Sequence, residues 1–203
     1  MTTGILGGAF DPPHVGHLVL AREALERFAL DRLVVLVVAA PAHKPVETAV
    51  EERLDLARAA FAELPSAEVR RDDHPYTVDS LRAQALDPAE TVFLVGADEF
   101  ADFLTWKEPD EILELVRLGV ATRPGYPEER LRPVLASLRR PERVELFEIA
   151  AVPASSTEAR SRLERGEPVG DLLPPAVAAL AVERGLYDEN SNRNDASSSR
   201  RPG

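Results

Sequence analysis

Apolar and polar positions along the chain follow two rhythms that trade places from one segment to the next. Leu33–Val38 is an unbroken run rich in β-branched residues, the pattern of a strand buried on both faces. Thr3–Leu6, Ala67–Arg70, Thr91–Val95, Leu118–Thr122 and Val144–Ile149 read as further strands. Between them the apolar period lengthens to that of a helix. Val15–Phe28 carries Leu18, Ala21, Leu25 and Phe28 on one stripe, and Val50–Leu64 carries Leu54, Ala57, Phe61 and Leu64. Val78–Leu86 reads as a helix with Thr77 as its N-cap, Glu128–Leu138 as a surface helix, and Pro174–Arg184 as a closing helix. This alternation predicts an α/β fold, a doubly wound parallel sheet with helices on both faces. No repeat or linker divides the chain, so residues 1–188 are expected to form one domain and the polar 189–203 segment a disordered tail.

Composition narrows the chemistry. With 203 residues the chain can bury a sizeable core. It has no cysteine, which excludes disulfides, thiolate metal sites and thiol nucleophiles. Leu33–Ala40, the longest apolar run, is far short of the ~20 residues that a membrane span needs. No basic segment precedes an apolar run at the N-terminus, so a cytoplasmic protein with no membrane partner is expected. The formal net charge of −11 argues against nucleic acid as a partner. It does not argue against a phosphate ligand, which a few local cations and amides can hold. The oligomeric state, a homo-oligomer included, is open at this level.

One stretch concentrates candidate chemistry. Gly7-Gly8-Ala9-Phe10-Asp11-Pro12-Pro13 leads from the first strand into His14-Val15-Gly16-His17, where a helix opens. The glycines allow backbone N–H groups to approach a ligand. The prolines keep the helix from starting early. A helix start with free N–H donors seats a phosphate. His14 and His17, three apart, share a face there. Neither a Walker-type nor a dinucleotide-type glycine pattern is present. A second anion seat is readable in Ser155-Ser156-Thr157-Glu158, whose spacing is that of a capping box, with Arg160 one turn on. On its own such a box means only a well-capped helix. Lys44, in the loop after the second strand, follows the carboxyl end of a parallel strand, where such sheets hold ligands. Gly96-Ala97-Asp98 ends another strand, and its carboxylate fits two ribose hydroxyls.

The Gly8-Ala9-Phe10-Asp11-Pro12 and His14-Val15-Gly16-His17 segments resemble the signature of the nucleotidyltransferase superfamily, whose His-x-Gly-His is shared with class I aminoacyl-tRNA synthetases. Members usually carry Thr or Ser where this chain has Ala9. Pro41-Ala42-His43-Lys44 resembles a Pro-x-His-Lys segment of bacterial nicotinate-nucleotide adenylyltransferases, and Ser155-Ser156-Thr157 with Arg160 resembles their Ser-Ser-Thr motif, with Ala154 and Ala159 at its aliphatic positions. The likeness covers Thr3 to Tyr187 and implies a Rossmann-like sheet.

It also implies an activity: adenylyl transfer from ATP to nicotinate mononucleotide, giving deamido-NAD and pyrophosphate in NAD biosynthesis. His14, His17, Lys44 and Arg160 would then be catalytic. Gly8, Ala9, Phe10, Gly16, Gly96, Asp98, Ser155, Ser156 and Thr157 would bind ATP. Tyr76, Thr77, Trp106, Lys107 and Arg123 would bind the nicotinate nucleotide, with the indole stacked on the pyridine ring. Pro75 stands where the family has Ser. Mg²⁺ would enter on the ATP phosphates, since the sequence shows no dense carboxylate cage. Nicotinamide mononucleotide or phosphopantetheine as acceptor, and a non-enzymatic nucleotide-binding module, are the alternatives. A class I synthetase is disfavoured, because a Lys-Met-Ser-Lys-Ser loop and room for a tRNA-reading domain are missing.

Overall fold

The second strand, β2 (Arg32–Val38), lies inside a sheet and shows why its sequence is apolar throughout. Leu33, Val35 and Val37 enter one hydrophobic core, and Val34 and Leu36 enter another on the opposite face. The computed structural model describes residues 1–42 and 46–188. It contains a six-stranded, all-parallel sheet of order β3-β2-β1-β4-β5-β6. The other strands are β1 (Thr3–Gly8), β3 (Ala67–Asp72), β4 (Thr91–Gly96), β5 (Arg117–Thr122) and β6 (Val144–Glu148).

Helices cover both faces. On one lie α1 (Val15–Arg27), α2 (Val50–Phe61), α7 (Ser156–Glu164) and α8 (Pro175–Glu183), which bury Ala21, Leu56, Ala159 and Val177. On the other lie α3 (Thr77–Arg82), α4 (Ala97–Ala101), α5 (Pro109–Leu115) and α6 (Arg132–Ser137), which bury Leu81, Phe100, Ile112 and Val134. Fully burying one such Leu, Val or Phe side chain is worth about 1.5–3 kcal/mol, so two separate cores make each helix layer costly to remove.

Several expected elements differ in detail. The Glu128–Leu138 segment is a 3-10 turn at Glu128–Arg130 followed by α6, and it is not a surface helix: Leu131 and Val134 are buried. Pro133 at the start of α6 lacks the N–H that would continue a helix through from Glu128. Thr77 is the first residue of α3; Tyr76, in extended conformation, holds the cap position, and the helix stops at Arg82. Leu64 falls beyond the end of α2 and still packs against the core. The short helices α4 and α5 and a 3-10 turn at Phe103–Thr105 have no counterpart in the strand–helix pattern of the sequence. The 189–203 segment lies outside the described residues.

The topology creates a crevice. The chain runs outward from β1 to β2 and β3, then returns to the other side of β1 with β4. Pairing of β1 with β4 goes from Thr3↔Thr91 to Leu6↔Leu94, whereas β1 stays paired with β2 to Gly8↔Val37. The carboxyl ends of β1 and β4 therefore part at the switch point, where open α/β sheets hold ligands.

Candidate active site

Beyond Gly8 the chain turns sharply. Phe10 adopts a left-handed backbone (φ 50°), a conformation that costs a bulky residue roughly 1–3 kcal/mol. Its ring is 2% exposed and lies 5.0 Å from the ring of His17 and 5.9 Å from Phe61. Burial offsets the strain, and the ring becomes a floor for the imidazole. His14 is the N-cap of α1, in extended conformation, and His17 is its third helical residue. The two rings stack at 3.8 Å with 28° between planes. The His14 backbone N–H donates to His17 Nδ1 at 3.1 Å. An accepting Nδ1 puts the proton of a neutral imidazole on Nε2, so His17 offers an Nε2–H donor. Gly16 is required by the His14 ring: a Cβ there would sit 2.9 Å from His14 Nδ1.

The two anion seats, far apart in sequence, are joined directly. Ser156 Oγ donates to the Pro12 carbonyl at 2.9 Å, and the Arg160 guanidinium donates to the Asp11 carbonyl. The Val15 N–H donates to the Leu172 carbonyl at 2.9 Å. Ser155 Oγ accepts from the Glu158 N–H at 3.2 Å and so caps α7. Ser156 thus gives its hydroxyl proton to the protein, whereas Ser155, which accepts, keeps its O–H for a ligand beside the backbone N–H groups at the start of α7.

A cleft of about 560 Å³ runs along the crevice. Gly8, Ala9, Phe10, His14, Gly16 and His17 line one wall, and Ser155 and Ser156 lie on the same cleft. Gly96, Asp98 and Arg123 line it from the β4–β5 side. Thr77 and Trp106 line it too, and both also border a smaller cavity of about 330 Å³ together with Tyr76 and Lys107. The indole of Trp106 is braced by Phe93 at 6.4 Å and Phe103 at 5.3 Å.

Some expected site residues are placed differently. Thr157 is exposed and does not line the cleft, and Arg160 is half-buried behind it, tied to the Asp11 turn. Lys107 Nζ is held by Asp79 (2.8 and 3.0 Å) and lies 5.1 Å from the Tyr76 ring centre. The Asp79 carboxyl is held below the usual carboxylate range by Lys107 and, secondarily, Arg82. Asp98 and Arg123 pair with each other at 2.7 Å. Lys44 lies outside the described residues.

Sequence patterns had not marked Arg53. Its side chain is 1% exposed, yet it meets four carbonyls: Ala9 (2.7 Å), Val38 (2.8 Å), Ala39 (2.7 Å) and Thr48 (3.0 Å). Burial pulls its pKa below the ordinary value, with the Asp11 charge opposing. One guanidinium thereby fixes the loops that leave β1 and β2. The signal was present: Arg53 occupies the first place of the buried stripe Arg53-Leu56-Ala57-Ala60.

Comparison with known proteins points to one family. A family model described as cytidylyltransferase-like matches residues 5–200. A probable nicotinate-nucleotide adenylyltransferase of Thermus thermophilus is 42% identical over 195 residues, covering 92% of this chain and all of that one. One of Rubrobacter xylanophilus is 35% identical over 203 residues, covering 95% of each. Among solved structures, Plasmodium falciparum nicotinic acid mononucleotide adenylyltransferase complexed with NaAD superposes with a TM-score of 0.73 at 18% identity, over 92% of this chain and 97% of that one, a likeness of fold. The family model and relatives matched over more than nine-tenths of both chains lead to one assignment: the chain belongs to the nicotinate-nucleotide adenylyltransferase family, within the cytidylyltransferase-like nucleotidyltransferases.

Proposed function

We propose that the protein transfers the adenylyl group of ATP to nicotinate mononucleotide, releasing pyrophosphate and forming deamido-NAD. The observation that carries this reading is a single cleft bordered by the histidine pair of α1 and the start of α7. A 5′-phosphate oxygen of the mononucleotide attacks the α-phosphorus of ATP, and the bond from that phosphorus to the bridging oxygen of pyrophosphate breaks. The nucleophile is already an anion, so no side-chain base is needed. What the protein must supply is alignment and compensation of charge.

In this reading the His17 Nε2–H and the His14 ring face the reacting phosphate. The amides after Gly8 and those opening α7 hold the ATP phosphates. Asp98, with Gly96 beside it, accepts the ribose hydroxyls and exchanges its Arg123 partner for them. Trp106 carries the pyridine ring, and the amides near Tyr76 and Thr77 take its carboxylate. Lys107 steers the acceptor once Asp79 yields it, Lys44 serves the phosphates from its loop, and Arg160 fixes the Asp11 turn. Among the described residues no three His, Asp or Glu side chains gather into a metal site. A Mg²⁺ ion entering on the nucleotide would neutralise phosphate charge there. No helix among the described residues is long and apolar enough to cross a membrane.

The test is the purified protein with Mg-ATP and each acceptor in turn, following pyrophosphate. Turnover with nicotinate mononucleotide well above that with nicotinamide mononucleotide or phosphopantetheine is the expected result. ATP binding without pyrophosphate release from any acceptor would overturn the reading in favour of a binding module.

A further inference from the structure

A third imidazole lines the cleft, and the roles assigned so far leave it unused. His74 follows the carboxyl end of β3, and its Nδ1 is 2.8 Å from Asp72 Oδ1. The His74 backbone N–H donates to the same oxygen at 3.1 Å. Asp72 is 7% exposed and lines the cleft as well. The neighbouring Asp73 is occupied by Arg71 at 2.7 Å, so the buried carboxylate is the one His74 uses. A buried carboxylate that grips a ring nitrogen and the backbone of one residue fixes where that ring sits. With Nδ1 committed, Nε2 is the polar atom His74 keeps for the cleft. Only the imidazolium form of the ring would donate from both nitrogens, to Asp72 and to a ligand anion, so such a contact is charge-assisted.

Position decides which ligand it meets. Pro75, next to His74, borders both the cleft and the smaller cavity together with Thr77 and Trp106, the residues read above as the seat of the pyridine ring and its carboxylate. Charge points the same way. The cleft is also lined by Asp11, Asp98 and Glu99, and Arg123 there is already paired. In a chain of net charge −11, an anionic acceptor needs a local cation.

We infer that His74, oriented by Asp72, binds an anionic group of the acceptor mononucleotide, its ring carboxylate or its 5′-phosphate. This rests on the functional reading above. Calorimetric titration of nicotinate mononucleotide and of nicotinamide mononucleotide into wild type, H74A and H74Q tests it, alongside the KM for ATP and the melting temperature. H74A should weaken nicotinate mononucleotide about tenfold or more, the scale of a lost charge-assisted hydrogen bond. H74Q, which restores an N–H donor near the Nε2 position, should recover part of that affinity, and the KM for ATP should stay within about twofold. Equal losses for both mononucleotides assign the contact to the phosphate, and a loss confined to nicotinate mononucleotide assigns it to the carboxylate. H74A that binds both as the wild type does, or that raises the KM for ATP as much as it weakens the acceptor, overturns the inference alone. Wild-type protein that binds neither mononucleotide overturns it together with the functional reading.

Discussion

The phenol of Tyr187 donates to Asp11 Oδ1 at 2.8 Å, joining residues 176 apart in sequence. The contact pins the segment after α8 to the turn that opens α1. Burial and then the Asp11 charge push the Tyr187 pKa above its ordinary value of 10. The folded protein therefore keeps this proton where the unfolded chain releases it. The resulting stabilisation is complete below about pH 10 and declines as pH rises above it. Tyr187→Phe should cost about 1–3 kcal/mol at neutral pH, since a buried carboxylate loses a donor. Urea midpoints measured from pH 7 to 11 should show the gap between wild type and Tyr187→Phe narrowing above pH 10. Parallel curves would mean that the phenol is not buried as described.

Arg53 holds the carbonyls of Ala9, Val38 and Ala39, so its loss should damage both stability and catalysis. Arg53→Lys keeps the charge but lacks the planar fork that reaches several acceptors at once. It should lower kcat/KM at least about tenfold and stability by roughly 2 kcal/mol, from carbonyls left without donors. Chemical denaturation and steady-state assays on the same preparation check both parts.

His17 presents Nε2–H because its Nδ1 accepts from the backbone of His14. His17→Ala should reduce kcat by about 10²–10³, the scale for removing a donor that acts in the transition state. An unchanged kcat with a raised KM would place His17 in ground-state binding.

Gly16→Ala separates stability from activity. Alanine favours a helix over glycine by roughly 0.5–1 kcal/mol, so the melting temperature should hold or rise. Yet the new methyl would stand 2.9 Å from His14 Nδ1 and move that ring. A kcat lowered about tenfold or more at undiminished stability is expected, and thermal melts beside initial rates check it.

Much of this was legible in local sequence. Two-sided burial of β2 follows from its unbroken apolar run, and the Ser155 cap follows from its spacing to Glu158. The glycine–proline turn and the histidine pair are adjacent in the chain, so their place on one cleft could be read without a fold. What stayed hidden depends on partners distant in sequence. Arg53 reads as an ordinary helical cation because three of its acceptors lie 14 to 44 residues away in sequence. Lys107 reads as free charge because Asp79 is 28 residues back. The short α4 and α5 span 5 and 7 residues, too few for a helical period to stand out.

Arg53 grips Ala9 by its carbonyl oxygen, an atom common to every amino acid. The contour of the strand-to-helix bend is thus insulated from whichever side chain occupies that position. Replacing the Ala9 methyl by a hydroxyl-bearing side chain would alter the group presented to the cleft while the surrounding main chain keeps its course.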